Sequence, residues 1–279
     1  MSKYLIKGAS LYGEKVADIL IEDGVISRIA ENIDAADAQV VEAAGQVALP
    51  GLVDIHTHLR QPGYEASETV ETGTRAAALG GYTAVFAMAN SMPVADTAAV
   101  VEQVDRLGKE SAWCRVQPIG AVTVGLKGER LSDIGGMANS TANVRVFSDD
   151  GMCVYDPAVM RRALEYVKTF DGVIAQHAQE PRLTEGAQMN EGKVSADLGL
   201  AGWPAVAEEA IIARDVLLAE HLDSKLHICH LSTKGSIEVV RWAKSRGVKV
   251  TAEATPHHLL LTDETARTYD PIFKVNPPL

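Results

Sequence analysis

From Pro50-Gly51 onward the chain alternates short apolar runs with amphipathic stretches, and no other feature of the sequence constrains the fold as much. The apolar runs predict seven strands, at Leu52–His58, Thr83–Ala89, Arg115–Val122, Val144–Asp150, Val173–Ala178, Leu226–Leu231 and Lys249–Ala254. Between them, Glu68–Leu79, Ala98–Leu107, Pro157–Thr169, Ala205–His221 and Gly235–Ser245 repeat apolar residues at intervals of three and four, the spacing of one helical face. Strands apolar on both faces need cover on both sides, which crossover helices give to a parallel sheet. The expectation for residues 51–279 is therefore an α/β unit, either a doubly wound sheet or a (β/α)8 TIM-type barrel of which this chain holds seven strands. Residues 1–50 have another rhythm, with β-type runs broken by turns such as Asp23-Gly24, and predict a small β module. The tail after Ala254 predicts a short helical segment at Thr262–Tyr269 and no eighth strand.

Composition narrows the function classes. With 26 basic and 37 acidic residues the net charge is −11, which disfavours partners coated in phosphate, whether nucleic acid or anionic membrane. Apolar runs stop far short of the roughly 20 residues that span a bilayer. Cys114, Cys153 and Cys229 share no C-x-x-C spacing, as in a reducing compartment. The expectation is a soluble cytoplasmic protein acting on a small molecule.

Chemistry-bearing residues gather at the predicted strand ends. In Asp54-Ile55-His56-Thr57-His58 the two-residue period of a strand turns His56 and His58 to one face, where two imidazoles can hold one metal ion. His177 ends the fifth strand and His230 the sixth, the rim on which barrel enzymes carry their active sites. The fourth strand runs into Asp149-Asp150-Gly151, by itself an ordinary turn, but beside four histidines a source of a bridging carboxylate. Imidazole and carboxylate donors without a cysteine cluster suit zinc in a site of one or two metal ions for hydrolysis. His221 closes a helix and His227 points away from His230, so both read as structural; His257 and His258 follow the seventh strand and are weaker candidates.

These residues, together with the stretches Pro50 to Gly63, Ala89 to Pro93, His230 to Lys234, Thr251 to His258 and Asn276 to Leu279, resemble the amidohydrolase superfamily and, within it, the bacterial class I dihydroorotases. The resemblance implies that His56 and His58 hold one zinc ion, that His177 and His230 hold a second, and that Asp150 bridges them. It places Arg60, Asn90, Asn276 and the shared His58 at the substrate. Dihydroorotate carries a carboxylate that a guanidinium can clamp with two hydrogen bonds and amide edges that suit asparagine. Hydantoinases, allantoinases and some dihydroorotases usually bridge their metals with a carbamylated lysine on strand four; this strand has no lysine, and its one base is Arg145. The implied activity is the reversible cyclisation of N-carbamoyl-L-aspartate to dihydroorotate in pyrimidine synthesis. The alternatives are a cyclic amidohydrolase of the hydantoinase or allantoinase type and a non-catalytic dihydroorotase-like subunit partnering aspartate transcarbamoylase. A second copy of the chain is the other expected partner. The resemblance also implies an eighth strand beyond Leu279 that supplies a catalytic aspartate, and a C-terminal return that completes the β module as a sandwich. The expectation for this chain alone is thus an incomplete barrel with little or no activity.

Overall fold

The computed structural model describes residues 2–279 and divides the chain into two compact units, Met1–Leu52 and Val53–Leu279. In the first, β1 (Lys3–Leu11), β2 (Lys15–Glu22) and β3 (Val25–Ala30) form an antiparallel meander, while β4 (Gln39–Glu42) and β5 (Val47–Ala48) pair in parallel with β1. β1 ends at Leu11, where Tyr12 and Gly13 turn with positive φ into β2. Leu5, Leu20 and Ile33 pack together as this unit's small core. Val25, Ile26, Ile29, Val40, Val41 and Val47 remain exposed.

The second unit follows the predicted alternation. β6 (Leu52–Thr57) leads to α1 (Val70–Leu79), β7 (Tyr82–Ala87), α2 (Ala98–Ser111), β8 (Arg115–Pro118), α3 (Ile134–Asn139) and β9 (Val146–Phe147). Next come α4 (Pro157–Val167), β10 (Val173–Gln176), the short pair β11 (Met189–Asn190) and β12 (Gly202–Trp203) flanking α5 (Lys193–Leu198), and α6 (Val206–Leu222). β13 (Leu226–Ile228), α7 (Lys234–Ser245), β14 (Val250–Ala252) and α8 (Pro256–Leu260) complete the order. Several helices begin where the sequence supplies a cap. Asp156 accepts from the backbone N–H groups of Ala158 and Val159 with Pro157 in the first turn, and the Thr233 hydroxyl accepts from Ser236, satisfying donors that a helix start leaves free.

Seven strands follow the order of the sequence, divided into a sheet of three, β6-β7-β8, in which β7 and β8 are parallel, and a wholly parallel sheet of four, β9-β10-β13-β14. Among the described residues a single isolated bridge, Gly120 to Phe147, joins the two, with Gly120 N–H donating to Val146 O at 3.1 Å and Ser148 N–H to Gly120 O at 2.8 Å. Gly120 is required here for space: a Cβ would come within 2.8 Å of Met137 Sδ and 2.9 Å of the Phe147 ring. The core beneath the four-stranded sheet, with Phe147, Ile174, Leu226 and Ile228 fully buried, packs against Leu164, Ile211 and Ile212 of α4 and α6. Apolar side chains on both faces of these strands are what the helices cover. Ladder pairing stops one to three residues short of several predicted strand ends, so His58, Asp150, His177 and His230 stand on the first residues of the loops.

Candidate metal centre

The four histidines expected as metal ligands converge on the fifth expected ligand, the Asp150 carboxylate. Asp150 Oδ1 lies 3.4 Å from His56 Nε2, 3.5 Å from His177 Nδ1 and 3.2 Å from His230 Nε2, and its Oδ2 lies 3.3 Å from His58 Nε2. Local backbone produces the convergence. His56 and His58 project from the same face at the end of β6, His177 follows β10 directly, and His230 adopts a positive φ of 32° that swings its ring inward after β13. The His177 and His230 side chains are 2% and 8% exposed, against 13% and 28% for His56 and His58.

The donor set fits a bound cation. Ionised histidine–carboxylate pairs close to about 2.7–2.9 Å, whereas four imidazole nitrogens stand off Asp150 at 3.2–3.5 Å, and His177 Nδ1 faces His230 Nε2 at 2.8 Å. One carboxylate cannot neutralise four imidazolium rings, so this packing needs nitrogens that present lone pairs. Burial raises the Asp150 carboxyl, but hydrogen bonds from His177, His230 and His56 outweigh it and hold the group well below the ordinary carboxylate range. Burial likewise holds His58 and His230 below the usual imidazole value. An anionic carboxylate and neutral imidazoles are the ligating forms. Burial also disfavours charge on His56, yet Asp150, Cys229 and Glu253 push it up to about 12. A proton and a cation are alternative ways of answering Asp150 at that ring.

Other expected residues divide clearly. Asn90 Oδ1 lies 3.0 Å from His58 Nδ1, so Asn90 touches a histidine of the ring as well as lining the cleft. Arg60 is exposed with φ 59°, and it and Asn276 line the same cleft of about 900 Å³ as His56, His58, Asp150, His177 and His230. Asp149 faces the opposite way: its Oδ1 accepts from Val122 N–H at 2.8 Å and Thr123 N–H at 3.0 Å, and its other oxygen accepts from the Thr123 hydroxyl. Burial pushes Asp149 up to about 6, against the pull of those donors. His257 lines the cleft, while His258 is drawn aside to Thr255 Oγ1 at 2.7 Å and Pro277 O at 3.0 Å. His221 lies exposed in the last turn of α6 and His227 is buried against Thr251, both outside the ring.

Three supporting residues escaped the sequence reading. Gln179 Oε1 lies 2.9 Å from His177 Nε2. Glu208, buried on α6, accepts from Ser232 N–H at 3.1 Å, from the Ser232 hydroxyl and from Thr233 N–H at 3.3 Å, fixing the loop that follows His230. Glu253, just after β14, reaches His56 Nδ1 at 2.5 Å. Its position at the end of the seventh strand, matching that of His177 on the fifth, is the signal that could have found it.

The family model described as dihydro-orotase-like matches residues 45–236. The chain belongs to that family. Among its relatives, the dihydroorotase of Streptomyces coelicolor is 70% identical over 279 residues, covering 100% of this chain and 65% of that protein. The dihydroorotase of Leifsonia xyli is 67% identical, covering 99% of this chain and 63% of that protein, and that of Mycobacterium tuberculosis 54% identical, covering 99% and 64%. The chain thus spans a little under two thirds of the length of these relatives. Among solved structures, L-hydantoinase (dihydropyrimidinase) from Arthrobacter aurescens superposes with a TM-score of 0.85 at 22% identity over 100% of this chain and 64% of that one. Dihydropyrimidinase from Brevibacillus agri gives 0.78 at 22% identity, over 99% and 63%. These likenesses show that the chain shares the α/β fold of those two proteins. Among the described residues no helix is long and apolar enough to cross a membrane.

Proposed function

We propose that this chain carries the binuclear centre and part of the substrate pocket of a dihydroorotase, with two zinc ions held by His56 and His58 on one side and His177 and His230 on the other, bridged by Asp150. The observation that carries the reading is the ring of four imidazole nitrogens 3.2–3.5 Å from a single buried carboxylate. Ions of this kind, when bound, polarise a carbonyl oxygen and make water a stronger nucleophile near neutral pH.

The chain's own residues supply recognition. Arg60 enters no ion pair among the described residues and lines the cleft beside the ring, and a guanidinium suits a carboxylate through two parallel hydrogen bonds. Asn90 and Asn276 offer donor and acceptor groups to the amide edges of a dihydropyrimidine ring. His58 faces both Asp150 and the cleft, which favours a shared role at ion and substrate. The names of the relatives, at 54–70% identity, favour dihydroorotate over hydantoin or allantoin. Turnover is proposed for this site as it works in proteins of the relatives' length.

Metal analysis of the folded, dialysed chain tests the centre: about two zinc ions per chain are expected, and a value near zero overturns the reading. Binding of dihydroorotate, hydantoin and allantoin, each measured by calorimetry on the zinc-loaded chain, tests the pocket. Preference for either of the latter two transfers the assignment to another cyclic amidohydrolase.

A further inference from the structure

Glu253 lies outside the ring of residues around Asp150 and touches it from behind. Its Oε1 stands 2.5 Å from His56 Nδ1 and 3.4 Å from the backbone nitrogen of His230. Its Oε2 stands 3.4 Å from His227 Nε2, a buried nitrogen with no closer hydrogen-bonding partner, while the other nitrogen of that ring meets Thr251 Oγ1 at 2.8 Å. One carboxylate therefore connects β6, β13 and β14, of which β6 and β14 stand at the ends of their sheets.

The consequence follows from the two nitrogens of an imidazole. A neutral ring has one N–H, and the hydrogen bond made by one nitrogen decides which of them keeps a free lone pair. At His56 the acceptor lies on the Nδ1 side, and Nε2 faces Asp150 at 3.4 Å. We propose that Glu253 is a positioning residue that fixes His56 as the Nδ1–H tautomer and so presents Nε2 as a metal-binding nitrogen, an assignment that rests on the binuclear reading above. His58 receives weaker help, since the oxygen on its Nδ1 belongs to the neutral amide of Asn90 at 3.0 Å. A carboxylate makes the stronger, charge-assisted bond, so His56 is the more basic ligand of its pair.

Glu253→Gln keeps an acceptor of the same shape and removes the charge, while Glu253→Leu removes both. Zinc affinity of the full chain, measured by competition with a chromophoric chelator, is expected to fall in the order native, Gln, Leu, with the Leu variant roughly 10–100-fold weaker, the range that loss of an outer partner produces. In the zinc-loaded native protein, long-range 1H–15N spectra should show His56 with a strongly deshielded Nδ1–H; that signal moves upfield in Glu253→Gln and exchanges away in Glu253→Leu. If the Leu variant does not fold, the isosteric Gln variant carries both measurements. A native chain with two ions whose variants bind zinc equally tightly, or a His56 protonated on Nε2, overturns the Glu253 assignment alone. A native chain that takes up no zinc overturns it together with the binuclear reading.

Discussion

The two histidine pairs that meet at Asp150 are held by different means. His177 and His230 follow the neighbouring central strands β10 and β13, with 2% and 8% of their side chains exposed. His56 and His58 come from β6, at the end of the three-stranded sheet, and are 13% and 28% exposed. The first pair is placed by the core, because strands flanked on both sides and covered by α4 and α6 leave it little freedom. The second depends on polar contacts from other segments, Asn90 for His58 and Glu253 for His56. A site built across two sheets thus adds burial to the polar supports Gln179 and Glu208 on one side and relies on hydrogen bonds to more exposed rings on the other.

Removing the shared carboxylate abolishes the comparison altogether. Asp150→Ala is expected to lose both zinc ions, since it deletes the ligand common to the two pairs, and metal analysis of the dialysed protein checks it; retention of one ion would show that the pairs work independently. A gentler contrast comes from comparing His177→Ala with His58→Ala. Each should cost an ion, but only His177→Ala should also lower the stability of the metal-free protein, by about 2–4 kcal/mol, because it opens a gap in buried packing. Denaturant unfolding in the presence of a chelator measures the difference, and equal losses would contradict it.

The buried side carries a further titration. Asp215 on α6 is fully buried, receives Gln176 Nε2 at 2.8 Å and pairs with Arg214 Nη2 at 2.6 Å. Burial outweighs Arg214 and Gln176 and pushes its carboxyl up to about 6. The folded chain therefore holds a proton that the unfolded chain releases between pH 4 and pH 6, and this group's contribution to stability falls as pH rises through that window. Stability of Asp215→Asn minus that of the native chain should rise across the same window by about 2 kcal/mol. A flat difference in metal-free protein would remove the titration. The smallest effect is expected at the exposed edge, where Arg60→Lys keeps the charge but loses the paired geometry and should weaken dihydroorotate binding about tenfold. Unchanged binding by calorimetry would separate Arg60 from the substrate carboxylate.

What the sequence made legible follows from periodicity. The apolar runs predict strands of a parallel sheet, as β7 with β8 and β9, β10, β13 and β14 are paired, and the spacing of His56 and His58 predicts two rings on one face, because both patterns are local. Strand lengths were overread: Val144–Asp150 looks continuous, yet only Val146–Phe147 is paired, since Ser148 to Gly151 bends to deliver Asp150 inward and Asp149 outward. Only the family resemblance separates Asp150 from Asp149; the residue pattern by itself does not, because the separation is made by Val122 and Thr123, 27 and 26 residues from Asp149. Glu253 lies 197 residues from His56, and although its place at the end of the seventh strand marks it for the rim, that place does not name His56 as its partner. Short helices at Ile134–Asn139 and Lys193–Leu198 hold too few turns for an apolar period to emerge.

The narrow join at Gly120 and Phe147 gives the arrangement a mechanical meaning. His56 and His58 ride on one plate, Asp150, His177 and His230 on the other, and among the described residues one backbone bridge pairs the two plates. Anything gripped by both sets acts as a cross-brace against shear along that seam. Slow amide exchange at Gly120 and Ser148, whose N–H groups span it, should therefore report how firmly the plates are clamped, from a position away from the clamp itself.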